Sequence, residues 1–269
     1  MKAALAALLL LGGCAASPSA PLADIARPTI VSLNPCADAV LAEVAAPGQL
    51  LAISHWSKDP ETSSMEPAAA ARFDATGGTA EEVIALGPDV VVGDTFMAPT
   101  LRDALERAGI RVETVGIVAD LPAAEAQVRQ LAGVAGDEAR GEAMVRRMDR
   151  AWNAPPPADA PLDVLVWQDG GIVPGEETLI AAMLTRTGFR LHSAARGLGQ
   201  GAYLPLEEVL ADPPALVLTT GDERMLTHPV LGQVPGLAYA QLDGNLLYCG
   251  GPTIPRALAR LREIRREAA

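Results

Sequence analysis

Few residues in this chain are equipped for chemistry, and their distribution narrows what it does. Among 269 residues there are three His and three Cys, and aromatic residues make up 3%. No Gly-x-Ser-x-Gly elbow, Walker loop, His-Glu-x-x-His or Cys-x-x-Cys occurs, so the motifs that set up a nucleophile, a phosphate cradle or a catalytic zinc are missing. Gly197-x-Gly199-x-Gly201 is glycine-rich but lacks the strand before it and the helix start after it. Three scattered histidines do not supply the three or four clustered ligands that a bare Zn or Mn ion needs. An enzyme is therefore not expected. What recurs is polar and aromatic residues just after short apolar runs: Asn34 and Cys36; His55, Trp56 and Ser57; Asp94 and Thr95; Trp167 and Gln168; Tyr203; Thr220; and Tyr248 with Cys249. In open parallel sheets, ligands sit beyond the carboxyl ends of the strands. These positions are accordingly the candidate ligand contacts. Aromatic faces suit flat, partly apolar ligands. The imidazole of His55 suits Fe or Co carried in such a ligand, and serves equally to bind a carboxylate or amide or to cap its own loop.

The elements that would position these residues are short strands alternating with helices. Thr29–Leu33 is a β-type run ended by Asn34-Pro35 before the helical pattern Ala37–Val44, and Leu50–Ser54 is a second strand. Thr79 reads as an N-cap for a helix to Leu86, with Glu81 and Glu82 in the first turn, where negative charge suits the helix dipole. Asp89–Gly93 is a buried strand, and Leu101–Ala108 a helix before strand Val112–Val115. Leu121–Trp152 has helical periodicity throughout, weakened by Gly133, Gly136 and Gly141, and reads as one long connector ended by Pro155-Pro156-Pro157. Beyond it come strand Val164–Trp167, helices Glu177–Arg186 and Leu206–Ala211, strands Leu216–Leu218 and Leu246–Tyr248, and helix Arg256–Glu267. This pattern predicts an α/β fold of two lobes, each a mainly parallel sheet flanked by helices, bridged by one long helix. An internal repeat agrees: residues 81–92 align with residues 207–218 at a constant offset of 126, with six of twelve positions identical.

The start of the chain reads as an export leader. Lys2 precedes the apolar run Ala3–Leu11, which is far short of the about 20 residues that span a bilayer. Leu11-Gly12-Gly13-Cys14 resembles the bacterial lipobox, in which the Cys is lipidated and becomes the new N-terminus; cleavage further on, near Ala16 or Ala20, is the alternative. The segments are then a signal peptide 1–13, a lipidated tether 14–27, an N-terminal lobe 28–119, a connector 120–153 and a C-terminal lobe 154–269. Either reading exports the chain to the periplasm or cell envelope, with the membrane touched only through the anchor. A net charge of -12 leaves no basic stripe for nucleic acid. With Cys14 lipidated, Cys36 and Cys249 remain as an even pair in an oxidising compartment. Two readings stand for them: a disulfide across the mouth of the cleft, or two thiols facing a ligand or soft metal.

The whole mature chain resembles the class III periplasmic solute-binding proteins of iron-siderophore, haem and vitamin B12 ABC importers. The resemblance rests on Ile30–Pro35, on Thr79–Val92, on the connector, on Tyr203–Glu208 and on Cys249-Gly250-Gly251-Pro252, in that order. It implies two lobes with a ligand cleft between them and little hinge closure. It also implies a monomer that carries a small-molecule chelate to a permease dimer, with no cofactor beyond the Fe or Co its cargo contains. One glutamate per lobe docks on permease arginines in that family, and Glu81 and Glu207 match those positions. Both also fit as ordinary first-turn glutamates. Ferric siderophore, cobalamin and haem remain open as ligands, although no tryptophan stands in Ala75–Thr79, where the family's B12 binders carry one. A non-transport envelope lipoprotein acting as sensor or scaffold is the alternative role.

Overall fold

The computed structural model describes residues 27–60, 62–221 and 223–268; the expected leader, the lipidation site Cys14 and all but the last residue of the tether lie outside the described residues. The N-terminal lobe runs β1 (Ile30–Ser32), α1 (Pro35–Val44), β2 (Leu50–Ser54), α2 (Pro67–Ala70), β3 (Asp74–Thr76), α3 (Ala80–Leu86), β4 (Val90–Asp94), α4 (Pro99–Arg107) and β5 (Arg111–Val115). Its five strands are all parallel, in the order β3-β2-β1-β4-β5. Both faces of the sheet are covered, which is why β4 can be an unbroken Val-Val-Val run. Alternation divides the faces: Ile30, Val90 and Val92 enter the main core, while Val31 and Val91 enter a smaller outer core under α3 and α4.

The connector differs from the single helix expected over 120–153. It is two 15-residue helices, α5 (Leu121–Ala135) and α6 (Glu138–Trp152). Gly136 ends α5 in the left-handed region (φ 67, ψ 34), and Asp137 restarts the helix by accepting a hydrogen bond from the Arg140 N–H. A glycine C-cap followed at once by an aspartate N-cap is a stop–start signal that overrides the shared periodicity. Helix α5 packs on α1, and the Gln49 side chain donates to the Ala135 carbonyl, which makes α5 part of the N-terminal lobe. Helix α6 returns beside α5 and carries the chain into the second lobe, where Arg262 and Arg186 donate to the carbonyls of Ala151 and Trp152.

The C-terminal lobe contains β6 (Leu162–Trp167), β7 (Ile172–Val173), α7 (Leu179–Arg186), β8 (Phe189–Leu191), α8 (His192–Ala195), β9 (Ala202–Tyr203), α9 (Leu206–Ala211), β10 (Leu216–Thr219), β11 (Ala238–Gln241) and α10 (Thr253–Glu267). Its parallel sheet has the order β11-β10-β6-β8, with β7 and β9 forming a separate antiparallel pair. The strand expected at Leu246–Tyr248 is absent: Gly244–Leu246 is a single 3₁₀ turn, and the edge strand lies earlier, at Ala238–Gln241. Asp243-Gly244-Asn245 is turn chemistry, whereas Ala-Tyr-Ala-Gln carries little β signal and is held by its ladder to β10. The repeat is structural. β4 and β10 begin 126 residues apart, at Val90 and Leu216, each between the equivalent neighbours, and Val83 and Val209 are fully buried at matching positions of α3 and α9.

One core runs through both lobes. Ile30 and Val92, Val164 and Leu218, and the buried faces of α1, α5, α6, α7 and α10 belong to a single apolar cluster. At its centre Gly141 lets α6 touch α5, since a Cβ there would lie 2.4 Å from the Ala132 Cβ; at Gly133, on the outer side of α5, a Cβ would meet nothing within 4 Å. Gly141→Val is therefore expected to destabilise the fold by about 2–3 kcal/mol. Gly133→Ala should stabilise it by about 0.5–1 kcal/mol. Urea denaturation of the two variants tests both signs.

Candidate functional site

The carboxyl ends of β1, β4 and β5 open onto a cavity of about 410 Å³ between the lobes. The first lobe supplies Asn34 and Cys36 at the start of α1, Asp94 and Phe96 after β4, Val115–Ala119 at and after β5, and Gln127 from α5. The second lobe supplies Glu177–Ile180 at the start of α7, together with Gln200, Leu247 and Tyr248. Much of the lining is apolar, and Phe96, Ile117 and Tyr248, which stand 77%, 82% and 58% exposed, gather around this one cavity, as apolar residues do at a ligand-binding or docking surface.

Local capping fixes the polar groups. Asn34 caps α1, its Oδ1 accepting from the N–H groups of Cys36 and Ala37 at 3.0 Å. Asp94 Oδ1 accepts from the Phe96 N–H at 2.7 Å, which turns the chain after β4. Gln127 donates to the Gly116 carbonyl, and Gln200 accepts from the Gly175 N–H. Cys36 and Cys249 form a disulfide with Cα atoms 5.0 Å apart, so both thiols are consumed and the reading of two free cleft thiols is set aside.

His55 and Trp56 occupy a 3₁₀ turn after β2 and face a smaller hollow of about 180 Å³, shared with Thr76–Gly78 and Asp94. Their ring centroids are 4.6 Å apart, and His55 Nδ1 is 3.3 Å from the Thr76 carbonyl. Asp94 borders both this hollow and the main cavity, and so joins them. Ser57 is buried beneath the turn and does not reach the cleft: its hydroxyl donates to Asp38 Oδ2 at 2.6 Å, and the same oxygen accepts from the Ser54 N–H. Asp38 thus ties α1 to the loop that presents His55 and Trp56. Its Oδ1 has no hydrogen-bond partner among the described residues, and burial pushes the carboxyl up to about 7 against the nearby Ser32 hydroxyl and the bonds from Ser57 and Ser54, which pull it down.

Two further expected contacts lie elsewhere. Trp167 is fully buried in the outer core of the second lobe, its indole N–H donating to the Leu204 carbonyl at 2.9 Å. Strand parity is the reason: Val164 and Val166 face the shared core, so Leu165 and Trp167 face away from it. Tyr203 is exposed on β9 against Gly171 and is not part of the cavity lining. Phe96, Ile117, Gln127, Glu177 and Gln200 were not foreseen. For Phe96 and Ile117 the signal was available, because both follow strand ends; Glu177 and Gln200 lie in loops of the second lobe with no such mark.

Glu81 and Glu207 stand in the first turns of α3 and α9, both exposed, with no hydrogen bond or ion pair among the described residues. Their neighbours are engaged: Thr76 donates to Glu82 at 3.0 Å, and Arg196 pairs with Glu208 at 2.7 Å. Among the described residues no helix is long and apolar enough to cross a membrane, and no group of three or more His, Cys, Asp or Glu could hold a metal ion.

Two α/β lobes around a ligand-sized cleft define a solute-binding protein. The family model described as periplasmic binding protein matches residues 30–239, and the chain belongs to that family, whose members bind small molecules for ABC importers. Among solved structures it resembles a periplasmic haem-binding protein from Pseudomonas aeruginosa (25% identity, TM-score 0.65, 88% of this chain and 92% of the other). It also resembles the periplasmic haem-binding protein HutB of Vibrio cholerae (20%, TM-score 0.71, 88% and 98%). A third similar structure is the periplasmic vitamin B12 binding protein BtuF of Vibrio cholerae (15%, TM-score 0.65, 89% and 97%). No protein of curated function matches the chain by sequence.

Asp38 gives the site a pH signature. Its folded pKa of about 7 lies above the ordinary 3.8, so the native state holds a proton that the unfolded chain has released. Its contribution to stability is full below about pH 4 and is lost as pH rises toward 7, a decline on the order of 3–4 kcal/mol. Asp38→Asn keeps an acceptor for Ser54 and Ser57 and cannot ionise. The stability difference between variant and parent in urea should therefore shift in the variant's favour by that amount between pH 4 and pH 8.

Proposed function

We propose that this protein is the substrate-binding component of an ABC importer, capturing a ferric siderophore or corrinoid in the cleft and delivering it to a permease dimer. It acts in the periplasm as a monomer, held to the membrane only by lipid on Cys14. The observation that carries the delivery role is the pair Glu81 and Glu207. They occupy the same place in two repeated units, they are exposed, and neither is engaged within the protein, while the glutamate after each one is. Two fixed carboxylates on pseudo-equivalent surfaces suit bidentate cationic donors on a symmetric partner. The chelate reading draws on the exposed Phe96, Ile117 and Tyr248 of the cleft, with Trp56 and His55 in the adjoining hollow. It also draws on similar structures whose cargo is haem or vitamin B12.

Titration with aquocobalamin, ferric hydroxamates and haem, followed by tryptophan fluorescence and absorbance, should show saturable binding of at least one; binding of none removes the chelate reading. Glu81→Lys with Glu207→Lys should leave ligand affinity unchanged and lower uptake at least tenfold, given about 1.5–3 kcal/mol for each charge-assisted contact. Unchanged uptake by the double variant would refute the docking role.

A further inference from the structure

We infer that the cleft selects its chelate by charge, taking a neutral or cationic ligand and rejecting an anionic one; the inference rests on the reading of the cleft as a chelate site. Among the described residues no Lys, Arg or His lines the cavity, whereas Asp94 lines it from one lobe and Glu177 from the other. Neither carboxylate forms an ion pair among the described residues, and Glu177 has no hydrogen-bond partner there. A third acceptor lies deeper. Gln127 is more than nine-tenths buried at the cavity, one of its two amide N–H groups is given to the Gly116 carbonyl, and its Oε1 has no partner among the described residues. The free donors are only neutral amides. Asn34 and Gln200 each use their side-chain oxygen on a backbone N–H, which leaves their NH₂ groups for a ligand.

The balance therefore favours a ligand that brings hydrogen-bond donors or positive charge. A carboxylate or catecholate periphery would meet negative charge from both lobes with no cation among the described lining residues to offset it. A corrinoid with an amide periphery, or a hydroxamate chelate with a free ammonium, fits the groups present. A macrocycle with free carboxylates finds no cation to pair with.

A charge ladder on constant frameworks tests this. Ferrioxamine B carries a free ammonium, and its N-acetyl and N-succinyl derivatives make the same chelate neutral or anionic; cyanocobalamin and its monocarboxylic acid form a second matched pair. Titration calorimetry at low salt should show the cationic or neutral member binding about tenfold more tightly than the anionic member of its series. Glu177→Gln, and Asp94→Asn (which keeps the Phe96 cap), should each shrink that ratio to about threefold or less, improving the anionic member as well as weakening the cationic one. If the anionic member binds as well as its counterpart, or if haem with its two propionates is the sole ligand, the charge inference falls and the cleft remains a chelate site. If no member of either series binds and haem does not bind, the chelate reading itself fails and the inference goes with it.

Discussion

Two parallel sheets in this protein lean on one apolar core, and the geometry of the cleft depends on that sharing. A protein that closes on its ligand by a hinge needs lobes that part without exposing buried surface. Here α6 is packed on α5 along one side and on α10 along the other, so the seam between lobes is interior. Separating even three such side chains would cost about 5–9 kcal/mol, the scale of a whole domain's stability. The Cys36–Cys249 disulfide adds a covalent tie between residues 213 apart in the chain, which by loop closure is worth about 5 kcal/mol. Just beyond it, Gly250 and Gly251 thread the seam. A Cβ on Gly250 would lie 2.9 Å from the Ala124 Cβ, and one on Gly251 2.7 Å from a Val40 methyl, so only glycine fits there. The lobes are fastened by packing, by backbone contact and by a covalent bond.

A cleft held this way is preformed, and its selectivity must reside in the groups that line it rather than in closure around the ligand. Rigid support extends to each polar group. Asn34, Asp94 and Gln200 each bind a backbone N–H with one atom of the side chain, which orients the rest. The buried Asp38 plays the same part for the His55–Trp56 turn, gripping it through Ser54 and Ser57 while leaving one carboxyl oxygen unpaired. Burial of an acid at that point stabilises the turn most when the acid is neutral.

Much of this was legible in the sequence, for identifiable reasons. Strands covered on both faces must be apolar throughout, so Val90-Val91-Val92 and Val164–Trp167 declared a parallel sheet, and the 126-residue offset declared its duplication. Thr79 was readable as a cap because its hydroxyl does what a cap must, accepting from the Glu82 N–H. The failures share a different cause. Gly136-Asp137 broke a periodic run through local capping that periodicity does not register. Strand β11 has a weak pattern because its neighbour, not its own residues, holds it in place. The strand-end rule pointed to residues that border the cavity, such as Asn34, Cys36 and Asp94, but it is silent on parity, which turned Trp167 into the outer core. It is equally silent on competing partners, which took Ser57 for Asp38. Polar residues after a parallel strand have two employments, capping the next helix or meeting a ligand, and only the three-dimensional neighbours distinguish them.

The shared core also bears on how a loaded protein would be told from an empty one. If Glu81 and Glu207 dock as proposed, their spacing is set by α3 and α9, each seated on its sheet by a fully buried valine, and the shared core opposes separation of the sheets. The two carboxylates would then present the same geometry with or without cargo, and a permease could not read occupancy from lobe closure. The remaining source of difference is the mouth of the cleft. There Phe96 and Ile117 stand exposed where a bound ligand would cover them, and Asp94 and Glu177 are carboxylates that a cationic or donor-rich ligand would offset. Occupancy would change the chemistry of that surface rather than its shape, so the rigidity that makes the pocket selective also shifts the burden of signalling onto the ligand itself.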